Sequence, residues 1–169
     1  TVSLSERGTV ISQENGKLVI DRRSREQEIP MGEDGWTIFV YLCGSDLESD
    51  GGAASDDIEE ALAAYPSQQT RVVYQTGGSS YWYQDISDER LERFVLENGE
   101  LQKVDERPNA NMGDAGTLSE FLIWGVQHYP AERMGVILWD HGSGSINGVC
   151  FDEQYEYCLL YTSPSPRDR

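Results

Sequence analysis

The chain has 169 residues, 38% of them hydrophobic and 25% charged, the make-up of one globular domain of ordinary size, which excludes a fibre or a disordered tail. Its 13 Lys and Arg face 30 Asp and Glu, a formal charge of -17, and such a field repels nucleic-acid phosphates and anionic lipid, so no nucleic-acid partner is expected. No stretch approaches the roughly 18 consecutive apolar residues of a membrane span, and the opening residues lack the basic start and apolar core of a signal peptide.

The chain opens on Thr1 and not on Met, which reads as a fragment or processed form. Residues 1–34 read as an extension and linker. Within them Thr9-Val-Ile-Ser-Gln-Glu-Asn-Gly-Lys-Leu-Val-Ile20 places an Asn15-Gly16 turn between apolar stretches, a small hairpin pattern. Asp21 to Glu28 is a mixed charge run, read as solvated linker. The domain proper begins near Gly35. Trp36-Thr-Ile-Phe-Val-Tyr-Leu42 is a continuous apolar run rich in aromatic and β-branched residues, the pattern of a central parallel strand covered on both faces. Ser55 with Asp56 and Asp57 marks a helix start, Ile58, Ala61, Leu62 and Tyr65 recur on one face, and Pro66 closes the helix. Arg71-Val-Val-Tyr-Gln-Thr76 is the next strand and completes a βαβ unit.

Leu91, Phe94 and Leu96, then Leu101 and Val104, flank Asn98-Gly99 and predict an antiparallel hairpin inserted into the winding. Thr117-Leu-Ser-Glu120 reads as a capping box for an amphipathic helix carrying Leu118, Phe121, Leu122, Val126 and Tyr129 up to Pro130. Met112 and Trp124 are assigned to packing, and His128, late in that helix, is given no role. Met134-Gly-Val-Ile-Leu-Trp139 predicts a third buried strand running straight into Asp140-His141-Gly142-Ser143-Gly144. Open α/β sheets bind ligands at the carboxyl ends of their parallel strands, so His141 stands where a site is expected.

Four chemistries compete for Asp140 to Gly148. His141 suits a general base, because imidazole titrates near neutrality and flanking glycines let a substrate backbone approach; a structural histidine in a turn stays open beside it. A phosphate loop fails on the glycine spacing, the absence of a following helical pattern and the acidic field. Ser143 and Ser145 lie near His141 but do not match a nucleophile elbow and read as turn residues. A thiol nucleophile needs Cys43 or Cys150, and both sit in apolar strand contexts that favour buried, structural roles. Three scattered cysteines make neither a disulfide framework nor a paired-spacing metal site. Asp46, Glu48, Asp50, Gly51 and Asp57 fall at positions of a calcium-loop template, although the segment follows a strand and ends in Asp, so an acidic loop leading into a helix is the preferred account.

Taken together, Trp36-Thr-Ile-Phe-Val-Tyr-Leu with Gly44-Ser-Asp-Leu47, Asn111-Met-Gly-Asp114 with Thr117-Leu-Ser-Glu-Phe-Leu122, Tyr129-Pro-Ala131 and Ile137-Leu-Trp-Asp-His-Gly142 resemble, in order, the blocks of the clostripain family of cysteine endopeptidases. The resemblance implies an α/β, caspase-like fold with a mostly parallel central sheet flanked by helices, truncated here and carrying the antiparallel hairpin as an insertion. It implies His141 as the catalytic histidine and Gly142 as the glycine whose backbone N–H helps to bind the oxyanion. It places the nucleophilic cysteine, in an Asp-x-Cys pattern, and the acidic S1 residue downstream of Tyr157, so 35–157 is expected to be a partial peptidase domain without activity of its own.

The family implies protein or peptide substrates with Arg or Lys at P1, no cofactor required for the chemistry with calcium possible, and a bacterial extracellular or cell-surface location. No Lys or Arg lies between His141 and Tyr157, so no self-processing site is placed there. Residues 158–169 break with the preceding acidic texture, resemble a translated sequencing adapter, and are expected to be a non-native tail. Two rival readings are a non-catalytic surface binding module on the same fold and, more weakly, a small-molecule or nucleotide-binding α/β domain.

Overall fold

A computed structural model describes residues 10–14, 17–21, 35–64, 69–142, 148–155 and 158–159. The Asn15-Gly16 turn, most of the 21–28 charge run, Tyr65 and Pro66, Ser143 to Asn147 and 160–169 lie outside the described residues. The amino-terminal hairpin holds as expected: β1 (Val10–Glu14) pairs antiparallel with β2 (Lys17–Asp21).

The central sheet has five strands in the order β6-β5-β4-β3-β7. β3 (Trp36–Cys43) lies between β4 (Thr70–Gly77) and β7 (Arg133–Trp139) and is parallel to both. Its aromatic and β-branched run serves two faces at once, because successive side chains of a strand point to opposite sides. Phe39, Tyr41 and Cys43 pack with Val73, Met112, Phe121 and Trp124 on one face, and Val40 and Leu42 pack with Ala54, Ile58, Tyr74 and Phe94 on the other. Helix α3 (Ala115–His128) covers the first face and α2 (Ala53–Ala63) the second. β5 (Arg90–Glu97) and β6 (Glu100–Pro108) form the expected antiparallel hairpin, with Asn98 and Gly99 at φ +54° and +78°, the left-handed pair that a tight two-residue turn requires.

Three local expectations change. The helix expected to start at Ser55 is two helices. α1 (Ser45–Gly51) ends on Gly52 at φ +70°, a left-handed cap that glycine adopts without strain, and α2 begins at the next residue. Ser55 lies inside α2, where its backbone N–H and Oγ donate to the buried Glu48 carboxylate at 2.9 and 2.6 Å. The cap of α3 is Asp114, whose carboxylate accepts from the Gly116 N–H at 2.5 Å; Thr117 and Glu120 of the expected capping box lie one turn inside, and Glu120 is drawn to the buried guanidinium of Arg93.

β7, expected as a buried strand, is an edge of the described sheet, pairing with β3 alone among the described elements and leaving Val136 and Ile137 about half exposed. Met112 and Trp124 are core residues, as expected.

Candidate active site

The chain leaves β3 to one side to form β4 and returns through α3 to lay β7 on the other side of β3. The strand order therefore reverses between β3 and β7, and the crevice outside their carboxyl ends is where a parallel sheet presents a site. Two short segments meet there, Gly44-Ser45-Asp46 leaving β3 and Asp140-His141-Gly142 leaving β7. The register that sets Tyr41 against Leu138 and Leu42 against Trp139 brings them level.

Their junction is a hydrogen-bonded knot centred on Asp140. Oδ1 of Asp140 accepts from Ser45 Oγ at 2.8 Å and from the His141 backbone N–H at 2.6 Å, while Oδ2 accepts from the Phe151 N–H. Ser45 is buried at φ +48°, a conformation that non-glycine residues hold only when their surroundings fix it. The bond to Asp140 and one from Ser79 Oγ to the Ser45 carbonyl at 3.0 Å supply that restraint. The returning segment is tied down as well. Asp152, buried, accepts from the Met112 N–H at 2.7 Å, and desolvation holds its carboxyl above the usual range. Gln154 donates to the Ser79 carbonyl at 2.7 Å, and Ser49 donates to Glu153 at 3.0 Å.

On this frame the Nε2 atom of His141 meets Oδ1 of Asp46 at 2.5 Å. The hydrogen bond raises the imidazole pKa above its ordinary value and lowers that of the carboxyl. Both side chains stay about half open to solvent, 42% and 50% exposed. His141, Gly142 and Asp46 line a cleft of about 240 Å³ together with residues 148–151. Gly142 sits at φ +63°, a backbone turn that a side chain would disfavour.

The expected pair His141 and Gly142 is thus brought to the cleft together. Asp46 stands out as the imidazole's partner, a contact that no spacing in the sequence marks. The calcium-loop reading does not fit the segment. Glu48 is fully buried and its carboxylate is occupied by Ser55 and by the Tyr83 N–H at 2.9 Å, and 45–63 is almost wholly helical. Among the described residues no group of three or more His, Cys, Asp or Glu is arranged to hold a metal ion. Cys43 and Cys150 are fully buried, as their strand contexts suggested. His128 stacks on Trp124 at 5.0 Å and bonds its carbonyl at 2.8 Å, away from the cleft.

The sequence profile of the clostripain family, peptidase family C11, matches residues 40–164. The chain belongs to the clostripain family. No match is found among curated proteins. Solved members of the family share its fold: a B. fragilis cysteine protease (19% identity, TM-score 0.51, covering 66% of this chain and 92% of that one), and a clostripain from Bacteroides thetaiotaomicron ATCC 29148 bound to a peptide inhibitor (20%, 0.51, 66% and 94%). A secreted C11 cysteine protease from Bacteroides thetaiotaomicron, bound to an irreversible peptide inhibitor, matches at 16% identity and TM-score 0.55, covering 75% of this chain and 36% of that one. Members of the clostripain family among these structures are cysteine proteases, and the expected architecture, a mostly parallel sheet flanked by helices, is the one they share with this chain. No helix among the described residues is long and apolar enough to cross a membrane.

Proposed function

We propose that this chain carries the histidine-bearing part of a cysteine endopeptidase that cleaves after Arg or Lys. His141 would exchange the proton of a nucleophilic thiol, and the Gly142 N–H would donate to the oxygen of the tetrahedral intermediate. The observation that carries the reading is the Asp46–His141 contact at the carboxyl edge of β7, beside Gly142 and facing a cleft. With Nε2 engaged by Asp46, Nδ1 is the nitrogen that would take the thiol proton. The thiolate would then attack the scissile carbonyl while backbone donors hold the developing oxyanion. The family pattern places the thiol downstream of Tyr157, and the burial of Cys43 and Cys150 agrees with that. The excess of 30 acidic over 13 basic residues suits substrates carrying Arg or Lys, and the secreted relative supports an extracellular setting.

The test uses the full-length protein, with His141→Ala assayed against wild type on arginyl, lysyl and neutral peptide amides. The expected loss is at least about 10²–10⁴-fold in kcat on basic substrates, the usual worth of a positioned acid–base group, with no comparable turnover of neutral ones. Near-normal hydrolysis by His141→Ala overturns the assigned role. A folded wild type that binds basic peptides without cleaving them replaces the endopeptidase with a binding module.

A further inference from the structure

The loop that follows β4 carries two bare aromatic rings at the carboxyl edge of the sheet. Tyr81 and Tyr83 are 55% and 58% exposed, whereas Trp82 between them is 5% exposed and lies in the core cluster with Ala54 and Ile58 of α2. The loop has little room to move. The Tyr83 N–H donates to the buried Glu48 carboxylate at 2.9 Å, the Ser80 N–H donates to Glu153, and the Gln84 amide donates to the Ser55 carbonyl at 3.0 Å. Against the Tyr83 ring lies Gly52, where a Cβ would come within 3.2 Å of it, so the junction of α1 and α2 is its seat. The two rings meet edge to face, with centroids 5.1 Å apart and planes at 81°. That arrangement leaves a right-angled corner walled by a face of each ring, the shape by which aromatic cages hold cations.

The surroundings select the sign of what fits. No Lys, Arg or His occurs from Gly44 to Thr70 or from Val72 to Glu89, the stretches that carry α1, α2 and this loop. Exposed Asp50 and Asp85 stand two residues from Gly52 and Tyr83, and Glu59 and Glu153 are each one hydrogen bond from the loop, through Gln84 and Ser80. A neutral ring-stacking ligand gains nothing from these carboxylates, and a nucleic-acid base brings phosphates into their field. A guanidinium gains twice, from the ring faces and from the field. We propose that Tyr81 and Tyr83 form an aromatic corner that holds an arginine side chain of a peptide. Ser79, two residues before Tyr81, donates to the Ser45 carbonyl at 3.0 Å, and the next residue, Asp46, lines the His141 cleft, so the loop adjoins the lining of that cleft. Binding at the corner is independent of catalysis; that the peptide held there is the substrate rests on the endopeptidase reading.

The test measures the fluorescence anisotropy of a short fluorescein-labelled Gly-Arg repeat peptide, and of its twin with citrulline at every arginine, on the chain and its variants at about 0.15 M salt. Citrulline keeps the shape of arginine and removes its charge. Tyr81→Leu and Tyr83→Leu, which keep apolar bulk without a π face, are each expected to weaken binding of the arginine peptide by about three- to tenfold. Tyr81→Phe and Tyr83→Phe keep it, and none of the four changes the weaker binding of the citrulline twin. Melting temperatures equal to that of the wild type show that the fold is retained. A wild type that fails to bind the arginine peptide or binds both twins equally, leucine variants that bind as the wild type does, or a loss of the same size with both peptides overturns the proposal. Because binding alone is scored, absence of cleavage by the full-length protein counts against the endopeptidase reading and not against the corner.

Discussion

The Asp46 carboxylate and the His141 imidazole are 95 residues apart in the chain and 2.5 Å apart in space. Their bond raises one pKa and lowers the other, which sets a pH window. The histidine's share of the stabilisation is complete below its unfolded value of 6.5 and is lost as pH rises through the raised folded value. The carboxylate's share is present above its unfolded value of 3.8 and is lost as pH falls through the depressed one. Between those limits the pair is intact, although its exposure keeps its contribution to stability below about 1 kcal/mol. Its weight lies in chemistry, since a base must be neutral to accept a proton. Asp46→Asn is therefore expected to move the His141 titration down towards 6.5. Proton NMR of the imidazole follows this easily in a chain with only two histidines, and an unmoved titration would show that Asp46 does not set it. His141 was legible in the sequence because an apolar strand pattern runs directly into Asp-His-Gly. Asp46 as its partner was not, since that contact exists only because β7 lies parallel beside β3.

Helix α3 shows what is legible at the scale of an element and what is not. Its apolar spacing was plain, but its start was misread by one turn. Asp and Thr both make good caps, and the choice between Asp114 and Thr117 depends on tertiary partners. Arg93, with its side chain fully buried, takes Glu120 away from any capping role, along with Asp105, and lies 4.3 Å above the Trp124 ring. The two-helix break at Gly52 was hidden for a similar reason, because Glu48, an acid that spacing alone would put in solvent, is buried as the acceptor that joins α1 to α2. The seat of α3 on the sheet rests on Gly125, where a Cβ would come within 2.5 Å of the buried Phe39 ring. Phe39 cannot yield freely, being packed edge-on against Phe121 at 6.1 Å. Alanine gains about 1 kcal/mol of helix propensity, against about 1–3 kcal/mol for forcing an added group into a filled core. Gly125→Ala is thus expected to destabilise by up to about 2 kcal/mol, read as a lower urea midpoint at unchanged slope. A raised midpoint would mean that the helix can slide on β3.

At the scale of the whole molecule, the layered α/β plan and the hairpin were readable from hydrophobic period and turn chemistry, whereas the strand order was not. Nothing in Met134 to Trp139 says that this strand lies at the edge of the described sheet, because a run paired on both sides and a run paired on one side can have the same composition. The charge balance was readable and has a consequence for stability. Even if each of the 13 basic residues were paired, 17 acids would remain without a counter-charge, so like-charge repulsion outweighs attraction over the surface. At 0.01 M salt the Debye length is about 30 Å, the width of a domain, and most acids feel one another; at 0.5 M it falls to a few ångströms. Screening also weakens exposed pairs such as Lys103–Glu106 and Arg90–Glu106, each about 45% open to solvent, but these contribute little to begin with. Arg71 and Arg93, whose side chains are fully buried against their acids, lie where salt reaches poorly. The repulsion is therefore the larger loss, and the melting temperature is expected to rise by several degrees between 0.01 and 0.5 M sodium chloride. Calorimetry at neutral pH reads this directly, and the same rise in choline chloride separates screening from binding of a particular cation. A melting temperature that falls with salt would mean that the surface pairs, and not the unpaired acids, dominate the electrostatics of this chain.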